Sequence, residues 1–75
     1  MYDLQLIADR IKQQAKKKKL PMKELLGTCG LGINAVSEMA KGKAMSSIAL
    51  ARIADLLGVS VDYLLGRTDN PEINR

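Results

Sequence analysis

Leu4, Ile7, Ile11 and Ala15 recur at steps of three and four residues, with Asp9, Arg10, Lys12, Gln13 and Gln14 between them. That spacing puts the apolar set on one helix face and the polar set on the other, and predicts a first helix over residues 3–18. Asp3 is placed to cap its positive end, and Lys16 to Lys19 suit its negative end. Pro21 cannot continue this helix, but it presets the backbone angle that starts another. A second helix from Pro21 to Cys29 buries Leu25 and Leu26. Gly27 inside it costs about 1 kcal/mol relative to Ala, which the close approach of another backbone would explain. Gly30 and Leu31 then turn the chain, and a third helix from Gly32 buries Val36 and Met39.

Gly42 stands where a left-handed residue closes a helix. Ser46 or Ser47 caps a fourth helix with the stripe Leu50, Ile53, Ala54 and Leu57, and Gly58 stops it. Ser60 caps a short fifth helix over residues 61–65, with Asp62 in its first turn. Residues 66–75 are polar, include Asn70 before Pro71, and predict a frayed tail. The pattern is all-α: five short helices around one core, a domain over residues 1–66 and a tail over 67–75.

At 75 residues the chain has room for a single modest core. It has no His, Trp or Phe, so Leu, Ile, Val, Ala and Met must fill that core. Cys29 is the single cysteine and cannot form an internal disulfide, which points to a reducing, cytoplasmic setting. It is expected to pack, inert, at the end of the second helix. No apolar run approaches the ~20 residues of a membrane span, and the N-terminus lacks the basic-then-apolar order of a signal peptide. With no His, one Cys, no glycine-rich phosphate loop and no metal-ligand spacing, an enzyme is not expected, nor a cofactor or small-molecule ligand.

Charge is unevenly placed. Between Arg10 and Lys43 stand nine Lys or Arg against Glu24 and Glu38 alone, and the remainder of the chain is mildly acidic. A basic half suits a polyanionic partner. A solvated basic surface is the plain alternative. A membrane surface suits it less, because the apolar face of the first helix is needed for the core and carries no aromatic anchor.

Residues 20–42 thus read as helix, glycine-bearing turn, helix, the helix-turn-helix pattern whose second helix can enter the DNA major groove. With the other helices around it, the chain resembles the phage repressor and Cro type of helix-turn-helix domain, often called Xre-type. The resemblance runs from Leu6 to Gly66. It is carried by residues 9–12, by residues 23–26, and most specifically by residues 52–66, where Ile53, Ala54, Leu57, Gly58, Val59 and Ser60 keep the family's order. It implies a compact five-helix, lambda-repressor-like domain that binds double-stranded DNA as a homodimer on an inverted repeat and represses transcription.

The resemblance also assigns roles. Ile33, Asn34, Ser37 and Glu38 match the base-reading positions. Asn34 can bond adenine N6 and N7 together, Glu38 can accept from cytosine N4 while repelling phosphate, and Ile33 can meet a thymine methyl. Met22, Lys23, Gly32, Lys41 and Lys43 match positions beside the DNA backbone. Tyr63 and Leu65 match a dimer contact, the alternative being that Leu64 closes the core and Tyr63 is a partly exposed lid. Pro21 and Met22 replace the family's usual Ser or Thr and Gln, and Gly32 replaces a Ser or Thr, each removing a hydrogen-bonding side chain. Ala15 and Ala40 replace a frequent Arg–Glu pair, so direct packing is expected there. These departures keep a second function open: a protein-interaction module of this fold, such as an antitoxin or a regulator of another repressor, with weak or no specific DNA binding.

Overall fold

Residues 3–72 are described by the computed structural model. Among them the chain forms α1 (Leu4–Lys17), α2 (Met22–Thr28), α3 (Ala35–Ala40), α4 (Ser47–Leu57) and α5 (Val61–Leu65), with no strand. Three helix starts are fixed by side chains. Asp3 accepts from the N–H groups of Gln5 and Leu6, Ser46 from Ala49, and Ser60 from Tyr63. Each satisfies donors that the first turn leaves without a partner. Of the two candidate serines before α4, Ser46 is the cap and Ser47 is already helical.

All five helices end in the same way. Just past a left-handed residue, an N–H reaches back five positions: Leu20 to Ala15, Leu31 to Leu26, Lys43 to Glu38, Val59 to Ala54 and Arg67 to Asp62, at 2.8 to 3.0 Å. This closure satisfies carbonyls that would otherwise be orphaned. Glycines 30, 42, 58 and 66 hold the left-handed position in four helices, and Lys19, at φ 56°, holds it in α1. For a residue with a Cβ that backbone costs about 1–2 kcal/mol. At Gly66 the requirement is also steric, since a Cβ there would stand 2.9 Å from Leu6 Cδ2.

Helix α1 is the centre of the packing. It touches each of the other four helices, α3 most extensively. Ile7, Ala8, Ile11 and Ala15 meet Leu25 and Leu26 of α2, Val36 and Met39 of α3, Leu50, Ile53, Ala54 and Leu57 of α4, and Leu64 of α5. Burying one such large side chain contributes roughly 1.5–3 kcal/mol, and helices of this length are not stable alone. The shared core therefore holds all five. Ala15 is buried and Ala40 packs half-buried against the same cluster.

The polar side of α1 differs from expectation. Gln14 is buried and its Nε2 donates to the Tyr63 hydroxyl at 3.4 Å. Arg10 also turns inward. Its guanidinium donates to the carbonyls of Tyr63 and Thr68 and to Asp69 Oδ1. The segment after α5 therefore folds back on α1 and is not frayed from Gly66 onward. The Ser60 N–H fastens it further by donating to the Pro71 carbonyl at 2.9 Å. A radius of gyration of 11.1 Å matches the ~11 Å of a compact domain of this length. Residues 73–75 of the expected tail lie outside the described residues.

Two further expectations are corrected. Beyond its own helix and chain neighbours, nothing lies within 4 Å of where a Gly27 Cβ would stand, so no other segment's backbone approaches there and the glycine faces open space. The third helix begins at Ala35, not Gly32. Gly32 has the largest entropy to lose in a helix and no side chain to cap one, and Ala35 N–H bonds back to the Gly32 carbonyl in a tight turn instead.

Candidate nucleic-acid interface

Helix α2, the turn over residues 29–34 and α3 form one unit seated on the core. Leu25 and Leu26 pin α2, Leu31 packs half-buried from the turn, and Val36 and Met39 pin α3. Cys29 closes the end of α2 and is buried. Burial pushes its thiol up from the ordinary value, and the Arg52 guanidinium opposes this in part. A raised thiol stays protonated and is a poor nucleophile.

With Val36 and Met39 turned inward, helical periodicity leaves Ser37 and Glu38 outside, and both are exposed. Ile33 and Asn34 lie in the turn just before α3, not within it, and both are exposed. Ile33 is 62% exposed. Asn34 occupies the N-cap position, yet its side chain makes no capping bond, leaving its amide unspent. All four expected base-reading residues are thus exposed within one short stretch of the chain.

The expected backbone-contact residues divide into three kinds. Met22 packs half-buried against the core, so it anchors α2 and offers mainly its peptide group. Lys23 and Lys41 are exposed and take part in none of the ion pairs found among the described residues. Lys43 is already engaged, its Nζ standing 3.2 Å from Glu38 Oε2. Both partners are well exposed, so the pair is worth at most about 1 kcal/mol. Its effect on α3 is electrostatic, since it offsets the one negative charge on the outer face. The pair follows from the α3 closure, which turns the chain at Gly42 and brings residue 43 back toward residue 38. Gly32 is exposed with open space around it.

In α5, Leu64 is fully buried and closes the core. Tyr63 is half-buried, its ring 4.3 Å from the Arg10 guanidinium carbon and its hydroxyl bonded by Gln14. This is the lid arrangement, and a dimer contact here would use only what Tyr63 and the half-buried Leu65 still expose. Ile48, for which no motif speaks, is 67% exposed at the start of α4. Among the described residues no helix is long and apolar enough to cross a membrane. Comparison of the chain with protein-family models, with curated proteins and with solved structures finds no match.

Proposed function

We propose that this chain is a sequence-specific double-stranded DNA-binding transcriptional regulator, a cytoplasmic repressor of the phage repressor and Cro type with a lambda-repressor-like fold. The observation that carries this is the outer edge of the α2–turn–α3 unit. There an amide, a hydroxyl, an apolar group and two unpaired lysines stand exposed on a stretch whose inner residues are fully buried. Side chains on so fixed a support are preorganised for recognition. In this account Asn34 reads adenine, Ile33 meets a thymine methyl, and Ser37 and Glu38 complete the base-facing set. Lys23 and Lys41 neutralise phosphates, which orients the domain without reading sequence. Lys43 holds Glu38 and reduces its repulsion of the duplex.

A homodimer sets two copies of α3 about 34 Å apart, one turn of the duplex. Protomer extents of 29 × 27 × 20 Å suit that separation for two copies side by side. Repression is then steric, the bound dimer covering promoter DNA. A protein-interaction module is the second reading. It is favoured by the exposed Ile33 and Ile48 and by an α2 whose N-cap, Pro21, offers no side-chain hydrogen bond.

Asn34→Ala is expected to relax selectivity at one base pair per half-site, a loss of about 1–3 kcal/mol of discrimination. Helical content should not change, because the side chain is exposed and caps nothing. Binding to a panel of single-base operator variants, read alongside circular dichroism, measures both. Unchanged selectivity would remove Asn34 from the reading set.

A further inference from the structure

Lys19 occupies the position that a glycine holds in the other four helix closures, and it lies in the densest run of cations in the chain. No acidic residue stands between Asp9 and Glu24, whereas Lys12, Lys16, Lys17, Lys18, Lys19 and Lys23 do, all of them exposed. The ion pairs among the described residues engage Arg10, Lys43 and Arg67, and none of these lysines. One of the six has a structural role. The Lys18 ammonium lies over Gly58, 3.7 Å from where a Cβ would stand, against the negative end of α4.

Lys19 is different. Glycine would close α1 as it closes α2 to α5, whereas lysine must hold a left-handed backbone that its own Cβ disfavours. Residues held in such a backbone cluster at functional sites. Its N–H is already spent on the Lys16 carbonyl. What lysine adds over glycine is an ammonium on a four-carbon arm, carried by a fixed backbone at the corner between α1 and α2.

We propose that Lys19, with Lys16 and Lys17, forms a second phosphate-contacting edge that holds the duplex backbone flanking the bases met by α3. The proposal rests on the DNA-binding reading above. Charge complementarity selects the occupant, since a run of unpaired cations without an acid suits a regular array of phosphates. Lys23, at the start of α2, is the next cation along the chain and joins this edge to the α2–turn–α3 unit. The edge lengthens the footprint and adds affinity that is independent of sequence.

Lys19→Gly separates the side chain from the backbone conformation. Wild type and variant are titrated with a labelled random-sequence duplex over a salt series, beside thermal melts of each. The variant is expected to melt several degrees higher and yet to bind several-fold more weakly. Its plot of log affinity against log salt should be shallower by about 0.9, the counterion released by one phosphate contact. Lys16→Gln with Lys17→Gln should deepen the loss at unchanged helical content. Wild-type affinity and slope in Lys19→Gly, while Lys41→Ala still weakens binding, would overturn the second edge alone. A lower melting point in Lys19→Gly would remove the strain argument and the proposal with it. Failure of the wild type to bind any duplex would instead overturn the DNA-binding reading itself.

Discussion

Arg10→Ala lowers the stability of the domain by about 2–4 kcal/mol, a large share of what a domain of this size holds. The side chain, 14% exposed, fastens three things to α1. Its Nη1 donates to the carbonyls of Tyr63 and Thr68, its Nη2 donates to Asp69 at 2.8 Å, and its plane lies over the Tyr63 ring. Hydrogen bonds from a charged donor are worth up to about 1.5–3 kcal/mol each where water is excluded, and less at these part-buried carbonyls, while the ring contact adds roughly 0.5–1 kcal/mol. Asp69 is 99% exposed, so its part of the total is small. Denaturant unfolding measures the loss, and amide exchange should show residues 66–72 released first. Arg10→Lys should recover only part, because an ammonium cannot reproduce the planar fork. A cost below about 1 kcal/mol would mean that the carbonyls find other donors and that Arg10 is not the fastening point.

If the proposed DNA-binding function holds, Lys23→Ala combined with Lys41→Ala is expected to weaken binding to cognate and random duplex alike, by at least about tenfold or ~1.4 kcal/mol. The salt slope should fall by about 1.8, two contacts' worth of released counterions. These two are chosen over Lys43 because neither is engaged with a carboxylate, whereas Lys43→Ala also unmasks Glu38 and so changes two charges at once. Anisotropy titrations at several salt concentrations measure both numbers. Loss confined to the cognate site would mean that one of the lysines reads a base and does not hold a phosphate.

Much of the fold is legible in the chain because it is written in short-range signals. Asp3 and Ser60 sit one step before apolar periodicity begins, and the stripes Ile7–Ile11–Ala15 and Leu50–Ile53–Ala54–Leu57 are core as their spacing implies. The glycine closures are equally local. What escapes is long-range. Arg10 and Gln14 read as polar surface because the carbonyls and hydroxyl they serve lie 49 to 58 residues away in sequence. For the same reason the polar segment after α5 reads as a frayed tail, although it is held by α1.

At the candidate site the resemblance supplies positions and the structure supplies their condition. Ile33, Asn34, Ser37 and Glu38 are all exposed, but the first two stand in a turn, because Gly32 gives α3 no cap from which to start earlier. The Glu38–Lys43 pair depends on the turn at Gly42 that brings residue 43 back toward residue 38, which the spacing of the two residues does not show. Lys19 did leave a signal. Four helices are followed by glycine at the closing position, and the first is followed by lysine.

Selection of random duplex DNA by the purified chain at moderate salt, followed by sequencing, tests the central claim most directly. A DNA-reading dimer enriches an inverted repeat whose half-sites are centred about 10–10.5 base pairs apart. Recovery of no common sequence, with only weak and salt-sensitive binding, would contradict specific DNA recognition and turn attention to a protein partner at Ile33 and Ile48.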